Sequence, residues 1–136
     1  MARLAAFEKR WAEALFAAIL APETAGLPAF ASIDRTAFWR CIEDAPGPLF
    51  GVGLRGMVHL LTFLPLAEPP RAADGGRGAR RPFFALPSEA QRAYVAALEH
   101  DPRFVVRQAL HALKMVACMA WFDAPSVRAR FAGAAL

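Results

Sequence analysis

Apolar residues recur along most of this chain at intervals of three and four positions, the period of an α-helix packed on one side. In residues 3–21 this spacing predicts a first helix with one apolar and one polar face, ending near Pro22. The predicted apolar face consists of Leu4, Phe7, Trp11, Leu15 and Ile19. The opposite face carries Glu8, Lys9, Arg10 and Glu13.

Residues that commonly begin or end helices delimit the next two elements. Asp34 predicts the start of a short helix over residues 36–45, because an aspartate side chain accepts a hydrogen bond from a free N–H of the first turn. A third helix is predicted from Pro48 to Leu64, with proline tolerated in its first turn.

Three more helices are predicted in the second half, over residues 86–101, 104–122 and 126–133. Ser88 and Gln91 have the spacing of a capping box at the start of the first of these. Before it, residues 67–82 are rich in proline, glycine and arginine, a composition typical of a long mobile loop.

No segment alternates apolar and polar residues at the period of a β-strand. The sequence therefore predicts an all-α fold, a single-domain bundle of about six helices spanning residues 1–136. The third and fifth helices are the most apolar, so we expect them to pack side by side at its centre.

Composition and charge narrow the possible partners. At 57% apolar residues the chain has enough apolar surface for a core, and its net charge is +4. Residues 71–81 contribute most of that excess, with Arg71, Arg77, Arg80 and Arg81 against Asp74. The rest of the chain is nearly neutral, so we expect no nucleic-acid partner.

Membrane insertion and export are the next possibilities. The third and fifth helices are long enough to span a bilayer, but an arginine at a helix centre costs about 2.5–3.5 kcal/mol on insertion scales. Arg55 and Arg107 therefore argue against a transmembrane span, whereas peripheral membrane contact stays open. Glu8 and Glu13 lie where a signal peptide lacks acidic residues, which predicts a cytoplasmic protein.

Motifs for chemistry within this chain are weak. GVGLRG at residues 51–56 fits GxGxxG, but no strand precedes it, so we expect no nucleotide cofactor. The three histidines lack the Glu-x-x-His spacing of a carboxylate-bridged metal site, and no hydroxyl or thiol lies in a nucleophile motif. The sequence predicts no metal and no catalysis, with Cys41 and Cys118 as free thiols.

A cationic stripe crosses the predicted fifth helix. Arg107, His111 and Lys114 are spaced i, i+4 and i+7, and Trp121 and Phe122 follow at the helix end. The opposite face is rich in alanine, which predicts close packing there. Three interpretations remain open. The stripe is a solvent-exposed edge of a core helix, these five residues form a partner interface, or the stripe binds acidic lipid headgroups or fatty acids at a membrane surface.

Residues 46–133 carry short motifs in a suggestive order. They are a helix ending in FLPL, a Phe-x-x-Leu-Pro segment at 83–87, a helix with Arg107 and Lys114, and an aromatic pair followed by Asp-x-Pro-x-Val at 121–127. This order resembles the small helical subunit of bacterial flavin dehydrogenases, the gluconate 2-dehydrogenase subunit 3 family. It is also similar to the helical leader of some long-chain alcohol oxidases of the glucose-methanol-choline type.

The resemblance implies a non-catalytic companion of a large flavoprotein. FAD and the substrate chemistry would then belong to the partner, and this chain would hold no cofactor. Some members of the family supply an export signal for the pair. No twin-arginine pair precedes the first apolar run here, so a periplasmic location is expected only with a partner that is itself exported.

Overall fold

The computed structural model describes residues 3–20, 28–70, 78 and 80–133. Across these ranges the chain forms an all-α bundle without a strand, as predicted. Its helices are α1 (Ala6–Ile19), α2 (Arg35–Glu43), α3 (Pro48–Ala67), α4 (Ser88–Leu98), α5 (Phe104–Asp123) and α6 (Pro125–Ala132). Short 3-10 turns at Phe30–Ser32 and Phe83–Ala85 precede α2 and α4.

Helix α5 lies at the centre of the bundle. It packs against each of the other five helices, whereas α3 packs against α1 and α5. The predicted contact between the third and fifth helices is thus confirmed. Helix α3 is less central than α5, because it packs against two helices and α5 against five. Of its most apolar 18-residue window, 33% is buried. Among the described residues, α3 is the one helix long and apolar enough to cross a membrane by length and composition.

The ends of α2 and α3 follow local chemistry. Asp34 Oδ1 accepts a hydrogen bond from the Thr36 N–H at 2.9 Å, which confirms the predicted cap. Gly47 precedes α3 with φ at +100°, a conformation that L side chains rarely adopt. Helix α3 continues to Ala67, three residues beyond the predicted end, and the buried Pro65 lies within its last turn.

Two predictions about the middle of the chain have different outcomes. The capping box is wrong: no side chain caps α4, and Gln91 instead donates to the carbonyl oxygen of Phe83 at 3.0 Å. The predicted loop over 67–82 begins inside α3. Most of the rest of that loop, residues 71–77 and 79, lies outside the described residues.

The buried face of helix α1 is rotated from the one that its sequence predicts. Leu4 and Leu15 are buried as predicted, and Trp11 and Ile19 pack partly buried against the core. Phe7, however, is 47% exposed, whereas Phe16 and Glu8 of the neighbouring stripe are buried. Phe16 packs against three aromatic rings, Phe30, Phe38 and Trp39, at centroid distances of 6.2, 5.3 and 6.0 Å. Glu8 faces α3, where it finds charged partners.

The GxGxxG sequence lies wholly inside α3. The pyrophosphate-binding form of this motif requires a turn between a strand and a helix. A Cβ atom added to Gly53 or Gly56 would meet no atom within 4 Å, so neither glycine permits a close helix contact among the described residues. Both lie on the outer surface of α3.

Candidate functional site

Large apolar side chains line the solvent-exposed face of α5. Met115 and Met119 are each 67% exposed, and Phe104 and Val105 are exposed to the same degree. With Phe122 at the helix end, these residues fall within about 120° of the helix circumference. We refer to Phe104, Val105, Met115, Met119 and Phe122 as the α5 ridge.

The ridge continues onto α6 through aromatic contact. The rings of Phe122 and Phe131 lie 5.3 Å apart, and Phe131 is also exposed. Gln108 and His111 interrupt the apolar strip with polar exposed side chains. A contiguous apolar strip with a few polar groups is the composition found at protein interfaces, where methionine and aromatic residues are enriched.

Two members of the predicted cationic stripe contact the neighbouring chain segment instead of pointing freely outwards. Lys114 forms an ion pair with Glu99, just after the end of α4. Arg107 Nη1 donates to the carbonyl oxygen of Asp101 at 2.5 Å. Both side chains are half-buried and fix the α4–α5 connection against α5.

The other three predicted residues divide between core and surface. Trp121 is only 8% exposed, which contradicts its predicted place at the end of an exposed strip. His111 and Phe122 are exposed and flank or join the α5 ridge. Trp121 is buried because the packed face of α5 is rotated by about a quarter turn from the alanine-rich face that the sequence predicts to pack. The packed stripe consists of Val106, Ala109, Leu110, Leu113, Ala117, Ala120 and Trp121.

A buried carboxylate between α1 and α3 forms a second polar site that the sequence did not predict. Glu8 is 3% exposed, and its Oε2 accepts hydrogen bonds from the Ala5 N–H at 2.7 Å and from Arg55 Nη2 at 3.0 Å. His59 Nε2 lies 2.8 Å from Oε1 of the same carboxylate. An ionised carboxylate only accepts, so His59 donates.

These contacts determine the ionisation of Glu8. Burial would raise the pKa of the carboxyl group, but the hydrogen bonds from Ala5, His59 and Arg55 outweigh it and lower the pKa to about 2. A carboxylate that stays charged and fully engaged near neutral pH is a poor proton donor or acceptor. The site therefore has the properties of a structural ion cluster.

The lowered pKa predicts acid sensitivity that Glu8→Gln removes in part. Glu8 stabilises the fold fully above about pH 4.5, and this contribution is lost as the pH falls toward 2. Because Arg55 and His59 are half-exposed and screened by solvent, we expect Glu8→Gln to cost about 2 kcal/mol near pH 7. Urea unfolding should show this difference shrinking by more than half by about pH 3.

Asp101 provides an internal reference for that measurement. Hydrogen bonds from Arg103 lower the pKa of Asp101 to about 2, against the opposing effect of burial. The Asp101 contribution persists in Glu8→Gln, so the variant should retain part of the acid transition. Parallel stability profiles for the two proteins from neutral to acid pH would contradict the assignment of Glu8.

The described residues offer few candidate metal ligands or reactive thiols. No three His, Cys, Asp or Glu side chains of the described ranges lie together in a metal-binding arrangement. Cys41 and Cys118 are free, as predicted, and both are half-buried. Burial raises the pKa of the Cys41 thiol, aided by the nearby carboxylates of Asp123 and Asp44, which disfavours a reactive thiolate.

Comparison with other proteins adds no family assignment. No protein-family model matches the chain, and no curated protein or solved structure matches it. The site is therefore defined by its own geometry: an exposed apolar ridge on the central helix, and a neutralised ion cluster between α1 and α3.

Proposed function

We propose that this chain is a non-catalytic accessory subunit that docks on a flavin oxidoreductase of the glucose-methanol-choline type and stabilises it. One observation carries the docking role: the α5 ridge exposes five large apolar side chains on one face of the helix that anchors the bundle. The order of motifs over residues 46–133 supports the choice of partner. FAD and substrate would bind to the partner.

The position of the ridge favours a stable docking surface. Helix α5 packs against every other helix of the bundle, so its outer face is held by a rigid support. A preorganised surface loses little conformational entropy on binding. Methionines at 67% exposure in the middle of the strip give up much apolar surface when a partner covers them.

The polar groups of the chain support a structural role rather than catalysis. Glu8, Arg55 and His59 bond to one another, and Lys114 pairs with Glu99. A catalytic acid or base requires a pKa near the working pH and a path to substrate. The lowered pKa of Glu8 and its satisfied hydrogen bonds meet neither condition.

The cellular location follows the partner in this proposal. The acidic residues Glu8 and Glu13 of the first helix favour a cytoplasmic complex. A partner with its own export signal would carry the pair to the periplasm.

Co-expression tests the proposal directly. This chain, produced with a glucose-methanol-choline flavoprotein encoded beside it, should elute with that flavoprotein in size exclusion at micromolar concentration. The flavoprotein should also remain more soluble and retain more FAD when the chain is present. Two separate peaks, with flavin content unchanged by this chain, would exclude the proposed role.

A further inference from the structure

A second apolar surface lies on the outer side of α3. Leu49 is 85% exposed and Val52 is 63% exposed, and Phe63 and Leu66 follow on the same side of the helix. With Gly53 and Gly56 between them, these residues form an uncharged strip along the length of α3. We call Leu49, Val52, Gly53, Gly56, Phe63 and Leu66 the α3 outer face.

Aromatic side chains extend this face onto α1 and the turn before α4. The half-buried Trp11 lies 5.1 Å from Phe63 and 5.0 Å from Phe7, measured between ring centroids. The exposed ring of Phe84 stacks parallel to Trp11 at 5.9 Å. Tryptophan with an exposed edge beside apolar side chains is the residue enriched where proteins meet a membrane surface.

Positive charge lies at the far end of the face, at Arg80 and Arg81, where the exposed Glu68 is paired with Arg103. Arg55 is instead neutralised by Glu8. No acidic residue occurs between Asp44 and Glu68 in the sequence, and the nearby Glu8 is buried and engaged by Arg55 and His59. The side chains of Arg55 and His59 are 43% and 42% exposed along one flank. At the far end Arg80 lies 3.5 Å from the carbonyl oxygen of Leu66, and Arg81 beside it is exposed.

We propose that the α3 outer face binds the surface of a bilayer that contains anionic lipid. Leu49, Val52 and Phe63 enter the boundary between headgroups and acyl chains, and Arg80 and Arg81 at the end of the face bind lipid phosphates. The helix lies in the membrane plane, because its inner face packs against α1 and α5.

This inference goes beyond the proposed function and does not depend on it. Docking to a flavoprotein uses the α5 ridge, whereas lipid binding uses α3. If both hold, the chain tethers its partner to a membrane surface. The lipid test uses the purified chain alone, so its failure leaves the docking proposal unaffected.

Vesicle flotation with reciprocal variants tests the inference. The chain should float with vesicles of phosphatidylcholine and phosphatidylglycerol at 3:1, and at least tenfold less with phosphatidylcholine alone or at high salt. Leu49→Glu with Val52→Glu should reduce flotation at least tenfold. The matched variant Met115→Glu with Met119→Glu, on the α5 ridge, should float like the unchanged chain. No flotation of the unchanged chain, or equal loss in both variants, would overturn the proposal.

The fluorescence of Trp11 offers a second measurement of lipid binding by the α3 outer face. Trp39 and Trp121 are buried, so lipids with brominated acyl chains should quench chiefly Trp11, and Trp11→Phe should remove that quenching. A second copy of the chain is the rival occupant of the α3 outer face. Sedimentation that shows a dimer, converted to monomer by Leu49→Glu with Val52→Glu and lacking Trp11 quenching, would assign the face to self-association and refute lipid binding.

Discussion

Replacing Met115 and Met119 together with glutamate should weaken the complex with the flavoprotein about a hundredfold or more. Both side chains are 67% exposed in the free chain and lie in the middle of the α5 ridge. In the proposed complex each glutamate would be buried without a partner, which costs several kcal/mol unless the interface opens. Titration of labelled chain into flavoprotein measures the change in Kd.

The same variant should leave the fold intact. Surface substitutions away from special contacts usually change stability by about 0.5 kcal/mol or less, and glutamate and methionine have similar helix propensities. Leu49→Glu with Val52→Glu is the matched control, because it adds two charges to an exposed apolar surface outside the ridge. Equal weakening by both variants would point to a nonspecific effect of charge.

Arg107→Glu with Lys114→Glu separates the ridge from the cationic stripe. Since Lys114 pairs with Glu99 and Arg107 bonds to Asp101, this variant should lower stability modestly and leave binding by the folded chain nearly unchanged. If this variant lost flavoprotein binding while its stability stayed unchanged, the interface would be the cationic stripe and not the α5 ridge.

Phe16→Ala should destabilise the fold by about 3–5 kcal/mol, the usual cost of removing a large aromatic side chain from a packed core. Phe16 is fully buried and lies between the rings of Phe30, Phe38 and Trp39, which join α1 to α2. Neighbouring rings cannot fill the space that it leaves without distortion. Urea unfolding followed by far-ultraviolet circular dichroism measures the loss.

Phe7→Ala is the matched control for that measurement. Phe7 belongs to the apolar face that the sequence predicts for α1, but it is 47% exposed in the structure. Its removal should cost about 1 kcal/mol or less. The reverse order of costs would mean that α1 packs by the predicted face and that the observed rotation is wrong.

The helices themselves were predictable because their apolar periodicity, proline positions and the Asp34 cap are local properties. The buried face of α1 was not, since two overlapping apolar stripes, through Phe7 and through Phe16, fit the same period. Choosing between them depends on the partner helices. In α1 the deciding contacts are the aromatic rings around Phe16 and the ion cluster around Glu8.

The face of α5 was misassigned for a related reason. The predicted exposed side of α5 includes Trp121, whereas Trp121 is buried and Val105, on the alanine-rich side, is exposed. The spacing of Val106, Leu110, Leu113 and Ala117, alternating four and three, does mark the observed packed stripe. Because methionine occurs in cores and at interfaces alike, Met115 and Met119 gave no sequence indication of exposure.

The ion cluster around Glu8 could not be predicted from local sequence, because its residues are far apart along the chain. Arg55 and His59 lie one helical turn apart on α3, but their acceptor Glu8 is 47 residues from Arg55. A glutamate on the predicted polar face of an amphipathic helix ordinarily contacts water. Only the packing of α1 on α3 identifies it as the buried partner.

A photo-crosslinking residue on α5 tests the docking claim most directly. With a benzoylphenylalanine at position 115, irradiation of the co-expressed pair should yield a covalent product between this chain and the flavoprotein. The same residue at position 52, on the α3 outer face, should yield none. A crosslink from position 52 but not from position 115 would contradict docking through the α5 ridge.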